Sequence, residues 1–135
     1  MSERATEQAP EAPRVWIVED EPAAAALAAD LCMSCGASPS VYRAPLPFLT
    51  ALRTAERPDA VVLDWRLEHE LSAALFLATR HRYPDLPVVY WTGSSGDALP
   101  IMIREDARTV VVDKAAGSGA FESALTSALR ATPRG

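Results

Sequence analysis

Four apolar runs in the sequence each end on polar side chains that could act together. These side chains are Glu19 with Asp20, then Asp64, Thr92 and Lys114. The run before Asp64 has four small or branched apolar residues without polar alternation, which is typical of a strand buried on both faces. Such strands form parallel α/β sheets, whose ligand sites lie just beyond the carboxyl ends of the strands. The sequence therefore predicts that these side chains meet at one edge of a sheet.

The residue types in this set fit the chemistry of phosphoryl transfer. Carboxylates packed closely repel one another and raise one another's pKa values unless a cation lies among them. Ligands that offer only oxygen favour a hard cation such as Mg²⁺, whereas a hydroxyl (Thr92) and an ammonium (Lys114) suit an anion with tetrahedral oxygens. Because phosphoryl transfer rests mostly on positioning and charge neutralisation, we expect the central carboxylate, Asp64, to be the acceptor. Trp65, which adjoins Asp64, should sense the occupancy of this site.

The elements that must position these residues are predicted to alternate between strands and helices. We expect strands at 14–18, 38–42, 60–63, 88–91 and 109–112, and helices at 22–35, 46–55, 72–82, 98–106 and 117–130. Five β-α units in strict alternation predict the α/β class, as a five-stranded parallel sheet flanked by helices on both faces. In the strand order 2-1-3-4-5 of flavodoxin-like folds, the four strands that end on the polar side chains are neighbours.

Finer expectations concern loops and packing. The segment 65–71 is expected to be a loop, and the helix at 98–106 to be weakened by Pro100. The residues expected to pack in the core are Trp16 and Trp91 on strands, Leu75, Phe76 and Leu77 on the third helix, and Phe121, Leu125 and Leu129 on the last helix.

Length and charge bound the classes of function. A chain of 135 residues is long enough for one domain with a core. We expect this domain at 14–131, with a disordered tail at 1–13, a short tail at 132–135 and no output domain. The net charge of -5 argues against binding to a nucleic-acid backbone or to an anionic membrane surface. No apolar stretch is long enough to span a bilayer, and residues 1–14 lack an apolar core, so we expect no signal peptide and a cytoplasmic location.

Several other residues with reactive side chains are interpreted as structural. Cys32 and Cys35 form a C-x-x-C pair, but they lie well inside a helical segment and no further ligands are spaced for a metal, so we expect ordinary helix residues. His69 and His81 are expected at the surface. The segment 92–96 lacks the Lys-Ser/Thr ending of a P-loop, which argues against nucleotide binding.

Four sequence blocks resemble the receiver (CheY-like) domain of two-component response regulators. They are V-E-D-E at 18–21, V-V-L-D-W-R-L at 61–67, W-T-G at 91–93 and V-D-K at 112–114. The resemblance runs from about residue 14 to residue 131, and the separations between the blocks also fit the family. One block alone would be a weak signal, but four in order at suitable spacing are specific.

The resemblance implies a role for each residue of the set. Asp64 is the phosphoacceptor, Thr92 hydrogen-bonds a phosphoryl oxygen in the active state, and Lys114 pairs with the phosphoryl group. The implied Mg²⁺ ligands are the carboxylates of Glu19, Asp20 and Asp64 and the main-chain carbonyl of Arg66. Arg66 and Ser94 occupy positions that can tune the rate at which water removes the phosphoryl group. A sensor histidine kinase or a histidine phosphotransfer protein is the implied donor.

The sequence also departs from the pattern of this family. Ala115 follows the lysine where proline is usual, and Val111 stands where an aromatic residue usually turns inward on activation. Glu68 replaces a typical proline, and the fourth helix carries Pro100. These departures predict an irregular switch and an unusual output face beside a complete set of reactive residues.

Three functions follow from these residues. The first is a single-domain response regulator that signals through contact with an unknown protein target, could form a homodimer, and catalyses only its own phosphorylation and dephosphorylation. The second is a pseudo-receiver, which would be a phosphorylation-independent interaction module; the irregular fourth helix and Val111 favour it, whereas Lys114 and the acidic set oppose it. The third is a Mg²⁺-dependent phosphatase with an aspartyl nucleophile. This third chemistry usually requires a second Asp two positions after the first, where this chain has Arg66.

Overall fold

A computed structural model of the chain describes residues 11–67, 70–93 and 98–131. The strands are β1 (Arg14–Val18), β2 (Ser38–Tyr42), β3 (Ala60–Leu63), β4 (Arg66–Leu67), β5 (Glu70–Leu71), β6 (Val88–Thr92) and β7 (Thr109–Asp113). The helices are α1 (Pro22–Ser34), α2 (Pro45–Thr54), α3 (Ala73–Arg82), α4 (Ile101–Arg104) and α5 (Ser118–Ala131), with a 3₁₀ turn at Lys114–Ala116. Among the helices of these ranges, none combines the length and hydrophobicity that crossing a membrane requires. The predicted tails at 1–13 and 132–135 lie mostly outside the described residues, as do Glu68, His69 and Ser94.

Five strands form one parallel sheet in the order β2-β1-β3-β6-β7. Because β4 and β5 pair only with each other, this is the predicted order 2-1-3-4-5, and both the order and the α/β class are confirmed. In the register of β1 and β3, Val18 lies opposite Leu63, and in that of β6 and β7, Thr92 lies opposite Asp113. The residues that follow these strands therefore emerge at the same edge of the sheet.

Each face of the sheet carries its own hydrophobic cluster. On one face, β-strand side chains pack with residues of α2, α3 and α4, including Phe48, Phe76 and Ile103. On the other face, they pack with α1 and α5, including Leu31 and Phe121. Every residue of β3 and β6 is buried, as expected for central strands covered on both faces.

Helix α1 begins and ends where its sequence predicts. Pro22 takes the first helical position, and the Glu21 carboxylate accepts a hydrogen bond from the Ala24 amide at 2.7 Å. Gly36, with φ of +83°, follows the end of the helix in a conformation that L-residues with a Cβ avoid. Within the helix, burial raises the pKa of the Cys32 thiol to about 12, which agrees with an unreactive helix residue.

The structure corrects three expectations. Within the segment 65–71, which was expected to be a loop, β4 and β5 pair antiparallel as a β-hairpin, and Leu67 is buried. Helix α4 is a single turn, since Pro100 cannot donate a backbone hydrogen bond and forms the helix start instead of interrupting a longer helix. Leu77 is 51% exposed, whereas its neighbours Leu75 and Phe76 pack in the core.

Candidate functional site

A cleft of about 400 Å³ opens at the carboxyl edge of the sheet, above β1, β3 and β6. It is lined by Glu19, Asp20, Glu21, Asp64, Arg66, Thr92, Gly93 and Lys114. The structure therefore brings together all the side chains that the sequence set apart as reactive, and Arg66 lies beside them.

The acidic part of the site comes from the ends of β1 and β3. Oxygens of Glu19, Asp20 and Asp64 lie within 4.8 Å of one another. The Asp64 amide donates to the Val18 carbonyl at 3.3 Å, which continues the β1–β3 pairing by one residue and fixes where this carboxylate emerges. Asp64 is 7% exposed and Glu19 only 2%, so the two carboxylates have lost most of their contact with solvent.

Lys114 supplies the positive charge that this burial requires. Its ammonium donates to Glu19 Oε1 at 2.8 Å and to Asp64 Oδ2 at 3.1 Å. The residue is the only lysine of the sequence. It follows β7 directly, and from there its long side chain reaches the ends of β1 and β3. Without this cation, two adjacent buried carboxylates would be strongly unfavourable.

The protonation equilibria of this pair reflect the competition between burial and charge. Burial, together with the nearby Asp64 charge, raises the pKa of Glu19 although the bond from Lys114 opposes the change. Burial acts to lower the pKa of Lys114, but the hydrogen bond to Glu19 and the charge of Asp64 outweigh it, so that the pKa is raised. Lys114 is therefore held in its charged form at neutral pH.

Thr92 and Arg66 complete the lining of the cleft. Thr92 is the last residue of β6 and is 1% exposed. Arg66 begins β4, and its amide lies 3.4 Å from Asp64 Oδ1, which ties the hairpin to the central carboxylate. The hairpin of β4 and β5, where a loop was expected, is thus the element that positions Arg66 at the site.

Two contributions to the site were missed by reasoning from the sequence. The Glu21 amide donates to Glu19 Oε2 at 3.2 Å and orients that carboxylate. The ring of Trp91 lies under the Lys114 ammonium, with 5.1 Å between the nitrogen and the ring centroid. Trp65 packs edge-on against Tyr90 with centroids 6.3 Å apart; that it senses the occupancy of the site stays a prediction. No spacing in the sequence signals the Trp91 contact, because it depends on how the flexible Lys114 side chain turns.

The donor set is compatible with a divalent cation. Three carboxylates that share one open cleft offer only oxygen ligands, which hard cations prefer, and the cleft leaves room for water molecules. The cluster holds no soft nitrogen or sulfur ligand, which zinc and copper sites usually include. On the chemistry of its donors, the site fits Mg²⁺.

Comparisons with known proteins identify the fold. No protein-family model matches the sequence, and no curated protein matches it. A response regulator receiver protein from Sinorhizobium medicae WSM419 superposes with a TM-score of 0.77 at 18% identity, covering 90% of this chain and 97% of that one. The N-terminal domain of a response regulator/sensory box/GGDEF 3-domain protein from Carboxydothermus hydrogenoformans gives 0.75 at 24% identity, with 87% and 94% covered. The BeF3-activated DrrB receiver domain gives 0.76 at 16% identity, with 88% and 98% covered. The chain has the CheY-like fold of response regulator receiver domains.

Proposed function

We propose that the chain is the receiver of a two-component phosphorelay and that Asp64 accepts a phosphoryl group from a phosphohistidine. The observation that carries the proposal is the pairing of the Lys114 ammonium with both Glu19 and Asp64 at the mouth of an acidic cleft. Lys114 and both carboxylates line a cleft of about 400 Å³, which leaves space for an incoming anion beside the ammonium.

The chain's own residues would carry out the transfer by positioning and charge neutralisation. An oxygen of Asp64 attacks phosphorus, the bond from phosphorus to the imidazole nitrogen breaks, and the electron pair leaves with the imidazole. Lys114, already 3.1 Å from Asp64 Oδ2, neutralises charge on the phosphoryl oxygens. The Thr92 hydroxyl, at the end of β6, would hydrogen-bond one of those oxygens once the group is on Asp64.

Glu19, Asp20 and Asp64 would hold Mg²⁺, together with the main-chain carbonyl of Arg66. When bound, the ion would supply positive charge to the phosphoryl oxygens, in addition to that of Lys114. The carboxylates are prepared for this role because the Glu21 amide and the Lys114 ammonium fix the two oxygens of Glu19. Water would later hydrolyse the acyl phosphate, at a rate that Arg66 and Ser94 could tune.

The proposed output is a change in protein contacts rather than turnover of a separate substrate. Phosphorylation shifts a two-state equilibrium only as far as its contacts differ between the states. Four further points stay predictions from the sequence. They are a histidine kinase or histidine phosphotransfer protein as donor, a protein target, a homodimer and a cytoplasmic location.

A pseudo-receiver remains the second candidate, because the region that usually relays the signal is irregular. Helix α4 is a single turn, and Val111, half-buried beside Tyr90, offers no aromatic ring that could rotate. In this case the fold would act as an interaction module that needs no phosphoryl group.

Intact-mass spectrometry after incubation with acetyl phosphate and Mg²⁺ separates the two functions. The parent should gain one phosphoryl group, and Asp64→Asn should gain none. Asp113→Asn is the matched control, since this exposed carboxylate ends β7, two strands away from β3, and accepts from the Ala115 amide; it should be phosphorylated like the parent. Calorimetry with Mg²⁺ and beryllofluoride covers a short-lived acyl phosphate: a parent that neither gains mass nor binds beryllofluoride contradicts the proposal and supports the pseudo-receiver.

A further inference from the structure

The Lys114 ammonium has a third partner besides its two carboxylates. It lies over the face of the Trp91 indole, 5.1 Å from the ring centroid. Trp91 is 4% exposed, so the contact is shielded from water on the ring side. A cation over an aromatic face at this distance is attracted by the ring quadrupole, and the attraction grows when water is excluded.

The two partners in this contact differ in rigidity. Trp91 is held by the β6 backbone, which pairs with β7 at Val112, and its ring packs against Phe121 with centroids 5.1 Å apart. Its indole N–H finds no hydrogen-bond partner among the described residues, so packing alone sets the ring orientation. Lys114, in contrast, carries its charge on a flexible four-carbon chain. The fixed ring can therefore place the mobile ammonium, and not the reverse.

The contact is compatible with a phosphoryl group on Asp64. Because the ammonium already lies 3.1 Å from Asp64 Oδ2, it can meet oxygens bound to that carboxylate without leaving the ring. Glu19 alone would draw the ammonium toward β1, since that bond is the shorter one at 2.8 Å. A ring beneath the ammonium limits this displacement and keeps the charge between the two carboxylates.

We infer that Trp91 is a positioning residue for Lys114. The effect of this positioning on phosphoryl binding rests on the proposed function. The aromatic face holds the ammonium where it pairs with the phosphoryl group on Asp64. Replacing the ring with an aliphatic side chain leaves Lys114 charged and bonded to its carboxylates, but without the ring that limits its displacement toward Glu19. Phosphoryl binding then weakens while the acidic cluster stays intact.

The first test observes the contact directly, without metal or phosphoryl group. Protein labelled with ¹³C-lysine gives one ε-methylene NMR signal, because Lys114 is the only lysine. The ring should shift this signal upfield of free lysine in the parent, Trp91→Phe should keep part of the shift, and Trp91→Leu should abolish it. Trp16→Leu is the matched control, since Trp16 is equally buried at 4% exposure and packs with Tyr42 and Phe48 on the opposite face. An unshifted parent signal, or a shift that survives Trp91→Leu, overturns the inference.

The second test measures beryllofluoride affinity by calorimetry with Mg²⁺. Trp91→Leu should raise the dissociation constant by roughly fivefold, the size expected for one shielded cation–π contact. Trp91→Phe should restore part of the affinity, and Trp91→Leu should have no further effect in a Lys114→Met background, whereas a general packing defect would persist there. Equal affinities for the parent and Trp91→Leu would overturn the positioning role. If the parent itself fails to bind beryllofluoride while its lysine signal is shifted, the proposed function fails and the contact stands.

Discussion

The carboxyl edge of the sheet and the segment between β6 and β7 are held by different kinds of contact. At the sheet edge, the bonds of Lys114 join residues that are 95 and 50 positions apart in the sequence. Among the described residues of the segment, several contacts are local: the Arg104 guanidinium donates to the Leu99 carbonyl, and Asp106 accepts from the Arg108 amide. The pairing of Arg80 with Asp106 ties the segment to helix α3.

This difference explains how the cleft at the sheet edge can form beside a helix of a single turn. The β6–β7 pairing runs without interruption to Thr92 and Asp113, so the sheet itself delivers Thr92 and Lys114 to the cleft. Helix α4 has no part in that delivery. It can shrink to one turn, with Ile101 59% exposed, without moving the reactive residues.

The largest expected effect comes from removing the charge at the centre of the site. Lys114→Met should slow phosphorylation by acetyl phosphate on the order of 100-fold, because one preorganised charge is lost from the phosphoryl oxygens. The same change should tighten Mg²⁺ binding, since the ammonium no longer neutralises Glu19 and Asp64. Mass spectrometry over time and calorimetry measure the two effects. Arg130→Met removes an exposed positive charge on α5 and should change neither; equal losses in both variants would contradict the role of Lys114.

A second change tests whether the turn after β7 is adapted to its own sequence. Ala115→Pro should lower the free energy of unfolding by about 2 kcal/mol, because proline cannot donate the 2.8 Å bond to Asp113 Oδ1 and disfavours the helical backbone of Lys114. Urea unfolding measures the loss, and Ala115→Gly, which keeps the N–H, should lose less. A more stable proline variant would mean that the usual Lys-Pro sequence suits this turn as well.

The smallest effect concerns the ion pair of Arg80 and Asp106, which joins α3 to the segment between β6 and β7. Asp106→Asn should cost about 1 to 2 kcal/mol at neutral pH, because it weakens the 2.6 Å and 3.1 Å bonds from Arg80 at a half-buried position. Asp85→Asn, in the exposed pair with Arg57, should change the stability little.

The contribution of this ion pair to the free energy of unfolding should also depend on pH. Burial acts to raise the pKa of Asp106, but hydrogen bonds from Arg80 and Thr109 outweigh it and hold the pKa below its usual value. Its contribution is therefore fully present above the unfolded pKa of about 3.9 and is lost as the pH falls through the lower folded value. The difference between the parent and Asp106→Asn should shrink in that window; a constant difference would contradict the pairing.

The sequence predicted the positions of residues at the ends of buried strands, and it missed contacts that depend on the direction of a side chain. Asp64 was found because the apolar run before it has no alternation, and such runs end at a ligand edge. The contact of Trp91 with Lys114 depends on where a flexible lysine turns, which no spacing encodes. Helix α4 was predicted too long because the helix was placed on both sides of Pro100, whereas proline is tolerated at a helix start and disfavoured in its interior. The hairpin after Asp64 was missed because strands of two residues carry no periodicity.

The acceptor can be identified directly by reducing the phosphorylated protein with borohydride, which converts an aspartyl phosphate into homoserine. Tandem mass spectrometry of the peptides then locates the converted residue. We predict homoserine at position 64 alone, in samples treated with acetyl phosphate and Mg²⁺. Homoserine at another aspartate, or a phosphorylated parent with Asp64 unchanged, would contradict the central claim that the carboxylate at the end of β3 is the phosphoryl acceptor.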